Sequence, residues 1–178
     1  MKFCKAILNV RTNTSNAGVY GELGRYPLYI SRYVKILKYW FKLRNTDNVL
    51  LKAMYNISLE ECDNDKKSWL ANVKQLLCQH GFAYVWDQQS IINEKAFIEV
   101  FKRRLIDNFL QSWYSDLDKS EVLQLYKLVK HDLTYERYLD IVHPDVRMYL
   151  SKLRLSSHNL HIQSGRYGRN RIPRSERY

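Results

Sequence analysis

The sequence predicts an all-α protein, an irregular bundle of about seven helices that ends in an Arg-rich, mostly irregular tail. Three observations predict it. Only 6 Gly and 3 Pro occur in 178 residues, which favours long helices over a turn-rich β-sandwich. Apolar residues recur at helical spacing through most of the chain. Strict apolar–polar alternation is short wherever it occurs, and Leu153 with Leu155 and Leu160 with Ile162 are the best strand candidates. Apolar residues make up 46% of the chain, enough for a real core and too many for wholesale disorder.

Phe3, Ile7, Leu8 and Val10 predict a short helix within residues 1–10. The polar run Thr12 to Asn16 is a cap region, and a second short helix covers 16–23 and ends near Gly24. Pro27 then marks a boundary, because the residue before a proline is pushed out of the helical region. The strongest element is 28–44, where Ile30, Tyr33, Val34, Leu37, Trp40 and Phe41 share one face, widened by Tyr29, Ile36 and Leu43. A helix over 47–58 follows, capped by Thr46 or Asp47, and then the acidic loop Glu60 to Asp65. The helix over 66–80 turns Trp69, Val73, Leu76 and Leu77 inward. Gly81 stands where a left-handed cap belongs, with Phe82 making the accompanying apolar contact. Asn93 caps a long helix to about residue 114, carrying Phe97, Val100, Phe101, Leu105, Phe109 and Trp113. Helices over 119–130 and 135–142 follow. Pro144 opens the last one, with Asp145 favourable in its first turn and Lys152 and Arg154 in its last.

The charge of +11 is unevenly spread. Residues 1–52 hold ten Lys or Arg against two acids, residues 53–144 eleven against fourteen, and residues 145–178 eight against two. Two basic ends flank a mildly acidic middle, and the partner this pattern implies is a polyanion. Arg32, Lys35, Lys38 and Lys42 fall together on the polar side of helix 28–44 with no acid interleaved. A solvated helix face is the bland explanation, and the missing acid weighs against it. Lys152 and Arg154 extend the basic set. The tail adds Arg166, Arg169, Arg171 and Arg174, with Tyr167 and Tyr178 interspersed. Arginine pairs with phosphate through two donors, and both residue types stack on bases. Basic side chains from both ends are therefore expected to meet in one groove.

Other patterns carry less. Lys102, Arg103 and Arg104 are consecutive, spread around a helix, and at least one should pair with Glu99 or Asp107. Gly18, Gly21 and Gly24 lack the Gly-Lys-Ser/Thr of a phosphate loop and serve close packing or turn geometry. Gly165 to Gly168 lacks the flanks of a KH loop. His158 and His161 have no cysteine pair nearby, and Asp63 to Asp65 lacks the Gly and distant Glu of a calcium loop, so neither a metal nor another cofactor is expected. No nucleophile elbow, His-Glu-x-x-His or dinucleotide fingerprint occurs, so an enzyme is not expected. Three cysteines without Cys-x-x-Cys spacing imply a reduced intracellular protein of nucleus or cytoplasm. The first apolar stretch is too short for a signal peptide, and no run approaches the roughly 18 residues of a membrane helix, so no membrane partner is expected.

Several stretches carry a family likeness. Phe3-Cys-Lys-Ala-Ile-Leu-Asn-Val10 and Asn16-Ala-Gly-Val-Tyr-Gly-Glu-Leu-Gly-Arg-Tyr-Pro-Leu28 are two, with Gly21-Glu-Leu-Gly-Arg25 the most specific part. Asn93-Glu-Lys-Ala-Phe97, Ile106-Asp-Asn-Phe-Leu-Gln111, and Leu153-Arg-Leu-Ser-Ser-His158 with Gly165-Arg166 are the others. Together they resemble the region after the polymerase core in reverse transcriptases of non-LTR (LINE-type) retrotransposons, over nearly the whole chain. The resemblance implies a thumb and a helical C-terminal region that hold template RNA and target or product DNA. In that family a Cys-x-x-Cys zinc knuckle commonly follows a run like Arg171-Ile-Pro-Arg-Ser-Glu-Arg177. The knuckle, the catalytic aspartates and the endonuclease are all missing here, so the chain is expected to be a fragment. The resulting division is a thumb-like basic segment 1–45, a helical domain 46–158 and a basic tail 159–178. The expected role is non-catalytic binding of an RNA or DNA backbone. The rival is a helical protein–protein module, an orphaned packing domain whose apolar surface fits the missing polymerase core or a non-functional remnant.

Overall fold

The side chains of Asn48, Ser68 and Asn93 cap helix starts in the computed structural model, which describes residues 1–63, 68–158 and 173. Ten helices are found among the described residues: α1 Lys2–Ile7, α2 Asn16–Leu23, α3 Leu28–Arg44, α4 Val49–Asp63, α5 Trp69–Gln79, α6 Ala83–Gln88, α7 Glu94–Lys119, α8 Gln124–Val129, α9 Tyr138–Ile141 and α10 Pro144–Arg154. There is no strand among the described residues, so the protein is all-α. Nine of the ten helices lie where the sequence places a helix, more than the rounded count of seven; the tenth, α6, is under two turns long, too short to carry a clear period.

Several ends match their chemistry closely. Asn93 caps α7 by accepting from the Ala96 amide at 3.0 Å. Gly81, at φ 82°, closes α5 with the paired bonds of a Schellman motif, Phe82 N–H to Leu77 O at 2.8 Å and Gly81 N–H to Cys78 O at 3.1 Å, and Phe82 is buried behind it. Four expectations need correction. Glu60 to Asp63 are not a loop but the end of α4. The cap of α4 is Asn48, whose Oδ1 accepts from Leu51 N–H at 3.0 Å, while Thr46 Oγ1 accepts from Asn48 N–H; neither Thr46 nor Asp47 caps the helix itself. Trp69 is not inward: it is the first residue of α5, just after the Ser68 cap, and it is exposed. Leu153 and Leu155 are no strand, because Pro144 sets the first turn of α10 and its ladder runs through Leu153 to the Leu155 cap. Leu160 and Ile162 lie outside the described residues.

The chain packs as two units: residues 1–26 with 110–178, and residues 27–109. Helix α7 supplies Glu94–Phe109 to the second and Leu110–Lys119 to the first. The expected boundary at 45/46 separates α3 from α4, yet both belong to the second unit.

In the first unit, α2 is the packing centre. Gly18 and Gly21 let it approach α7, α8 and the end of α10: a Cβ on Gly18 would sit 2.6 Å from Leu155 Cδ2, and one on Gly21 would overlap the Tyr126 hydroxyl. The buried α2 backbone then becomes an acceptor surface, Trp113 Nε1–H donating to Ala17 O at 2.8 Å and the Tyr126 hydroxyl to Gly18 O at 3.2 Å. Glu22, fully buried, accepts from Arg154 Nε at 2.7 Å and from the Tyr138 hydroxyl at 2.7 Å. Arg154 Nη2 lies 3.3 Å from Glu136 Oε2, and Lys130 Nζ 2.5 Å from Glu136 Oε1. Two acids thus meet two bases. Burial first, and the Glu22 carboxylate second, push the Tyr126 phenol far above its usual range.

The second unit is built on aromatic packing. Trp40 is buried and stacks on Trp86 at 5.8 Å, and its Nε1–H donates to the Tyr55 hydroxyl at 3.1 Å. Phe41, Phe82, Phe97 and Phe101 make a connected ring cluster, with His80 edge-on to Phe101. Arg44 is bonded to Glu94 at 2.6 Å and its guanidinium lies 5.1 Å from the Phe41 centroid.

Burial, and then repulsion from Arg104, holds the His80 imidazole below its ordinary value of 6.5. The unfolded chain then binds more protons than the folded one just below that value, so stability falls as pH drops through it. We expect the melting temperature to decrease from about pH 7 to about pH 5.5, with a smaller decrease for His80→Gln. An unchanged slope in that variant removes His80 as a source.

Candidate nucleic-acid interface

Helix α3 has a dry side and a wet side. Ile30, Leu37, Trp40 and Phe41 are buried, whereas Arg32, Lys35, Lys38 and Lys42 are all exposed. The sequence produces this directly, since the four basic residues recur at intervals of three to four and the helix turns once per 3.6 residues. None of the four makes an ion pair with any described residue. Arg32 lies 5.4 Å from the Tyr33 ring centroid. Among the described residues the ridge is therefore an uncompensated row of positive charge on one helix.

An aromatic pair that the sequence reading missed lies beside it. Tyr39 is four residues after Lys35 and three before Lys42, so it shares their side of the helix, and it is 53% exposed. Its ring meets that of Trp69 edge-on at 5.5 Å, and Trp69 is 37% exposed. The position of Tyr39 was legible from spacing. That Trp69 reaches it is a tertiary fact, set by the packing of α5 on α3 and by the Ser68 cap that starts α5 at Trp69.

The remaining basic residues divide. Lys152 is half-buried at the end of α10 in the first unit and has no ion pair with a described residue. Arg154, two positions on, is corrected: it is taken up by Glu22 and Glu136, and its side chain is only 19% exposed. Two positions along a helix is slightly more than a half-turn, so the pair cannot share one face. Arg166, Arg169, Arg171 and Arg174, with Gly165 to Gly168, His161 and residues 64–67, lie outside the described residues.

Lys102, Arg103 and Arg104 are all exposed, and none pairs with Glu99 or Asp107, contrary to expectation. Exposed pairs of long side chains gain little against water, which explains why no pairing is enforced. Arg104 instead lies 5.8 Å from the Phe82 ring centroid. Cys4, Cys62 and Cys78 are free thiols. Among the described residues no group of three His, Cys, Asp or Glu is placed to hold a metal ion, and no helix is long and apolar enough to cross a membrane. Comparison with known proteins gives no match to a family model, to a curated protein or to a solved structure.

Proposed function

We propose that this chain is a non-catalytic RNA- or DNA-binding helical domain, of the kind its likeness to non-LTR reverse transcriptases implies, working inside the cell in nucleus or cytoplasm. The observation that carries the reading is the α3 ridge: four exposed bases in register, no carboxylate partner, and an exposed Tyr39–Trp69 pair at their side. Phosphates neutralised by such a row release condensed counterions, which is where the affinity comes from. Exposed rings next to a basic track suit unpaired bases, which stack without regard to sequence. The tail residues Arg166, Arg169, Arg171 and Arg174 add phosphate contacts in this reading. Sequence-specific base reading is not part of it.

The test is a salt titration of binding to a generic single-stranded oligonucleotide. Log affinity should fall linearly with log salt, by about 0.7 per phosphate contact on a single strand. Replacing Arg32, Lys35, Lys38 and Lys42 together by Gln should flatten that slope by about 2–3. A slope unchanged by the four substitutions removes α3 as the interface.

A second reading has its own observation. Val49, Leu50, Met54 and Ile57 are exposed, and their spacing puts them on one side of α4. An apolar helix face of that kind suits a protein partner, a polymerase core of the same element among them. A salt-insensitive response in the titration favours this reading.

A further inference from the structure

We propose, resting on the nucleic-acid reading above, that Tyr39 and Trp69 stack an unpaired base, so that the α3 interface takes single-stranded nucleic acid in preference to duplex. The two rings are 53% and 37% exposed, and their centroids lie 5.5 Å apart with the planes at 73°. Apolar side chains scattered singly over a surface need no explanation, but these two are in contact. Rings standing nearly at right angles make a corner. A flat base lying parallel to one ring is edge-on to the other, and both arrangements are favourable for aromatic pairs.

The corner is in place before anything binds. Each exposed ring stands next to a fully buried residue, Trp40 after Tyr39 and Leu70 after Trp69. Trp69 opens α5 directly after Ser68, whose Oγ accepts from the Ala71 N–H at 3.1 Å. Backbone fixed in this way loses little freedom when a ligand arrives. Lys35 lies one turn before Tyr39 and Lys42 one turn after it, about 10 Å apart along the helix axis. A strand running along α3 meets a lysine, a ring and a second lysine in order, so a base can enter the corner while its phosphates stay with the ammonium groups.

Charge alone predicts the opposite preference. Duplex DNA carries one negative charge per about 1.7 Å of axis, a denser row of phosphates than a single strand, so a basic ridge by itself favours duplex. The bases of a duplex are stacked on one another and show their edges in the grooves. To offer its face to a ring, a base must first leave the stack, which costs free energy. A preference for single strands is therefore a signature of the rings and not of the ridge.

The test uses the full chain and three labelled probes of one length: a mixed-sequence single strand, that strand annealed to its complement, and an abasic strand with the same phosphates and no bases. The single strand should bind about tenfold more tightly than the abasic strand, the weight of one stacked base, and more tightly than the duplex. Trp69→Ala together with Tyr39→Ala should abolish the advantage over the abasic strand, and Trp69→Phe should keep most of it. Neither change should alter the salt slope, because no phosphate contact is lost. Helical circular dichroism checks that both variants are folded. Emission gives an independent reading: the other three tryptophans, Trp40, Trp86 and Trp113, are buried, so the single strand should quench Trp69 and the abasic strand should not. Equal binding of the single and abasic strands overturns the proposal, as does tighter binding of the duplex or an advantage that survives the double substitution. Salt-dependent binding that is lost with the α3 bases would in those cases still support the interface without the stacking. Failure of all three probes to bind removes the interface and the stacking together.

Discussion

Glu22→Ala is expected to destabilise the protein by about 3–5 kcal/mol, the cost of breaking a buried ion pair from one side. Glu22 is fully buried, and both its oxygens are used, one by Arg154 Nε at 2.7 Å and the other by the Tyr138 hydroxyl at 2.7 Å. Removing it strands the guanidinium between the Tyr126 and Tyr138 rings, with the 3.3 Å approach to Glu136 the one ion pair left among the described residues. It also leaves the Tyr138 proton with Ser151 Oγ, 2.8 Å away, as its remaining partner. Urea denaturation gives the number. The companion variant Glu22→Leu with Arg154→Met separates cause from position: replacing both charges by apolar groups should cost clearly less than Glu22→Ala alone. If the double variant is the worse of the two, lost packing rather than the stranded charge accounts for the effect.

The second large effect is expected at Gly24→Ala, a loss of about 2–5 kcal/mol from left-handed strain together with overpacking. Gly24 ends α2 at φ 55°, a conformation in which a Cβ crowds its own backbone. The space is also taken: that Cβ would lie 2.5 Å from Thr134 C and 2.8 Å from Tyr135 Cα. These are backbone atoms of a segment fixed by Glu136 N–H to Glu22 O at 3.1 Å and by Lys130 Nζ to Thr134 O at 2.6 Å, so relief requires moving the loop that supports the ion-pair cluster. Gly81→Ala is the control. It shares the positive φ, but the nearest atom to an added Cβ is Arg104 Nη1 at 4.0 Å, so it should pay the strain alone, about 1–2 kcal/mol. Equal losses at the two positions in chemical denaturation would show that crowding at Gly24 is relieved without cost.

Much of the local architecture was legible because it depends on near neighbours. The Gly81–Phe82 end of α5, the Asn93 cap of α7 and the Pro144 start of α10 involve bonds across a few residues, and the sequence contains all the partners. The α3 ridge was legible for the same reason, since a single helical period decides which side Arg32, Lys35, Lys38 and Lys42 occupy. Arg154 was misread as surface because nothing in its neighbourhood announces Glu22, 132 positions away. The glycines were read correctly as close-packing residues, while what they pack against, Leu155, Tyr126 and the Tyr135 backbone, is distant in sequence.

Alone, then, the sequence determined an all-α chain, the positions of its longer helices and the charge of their outward faces, since period, caps and proline or glycine placement act over one or two turns. Only the tertiary structure decided which charges remain available. Folding carries Arg154 into a buried partnership with Glu22, and it sets Trp69 against Tyr39. Such pairings join residues far apart along the chain, and they form only once burial of the apolar faces has brought the helices together.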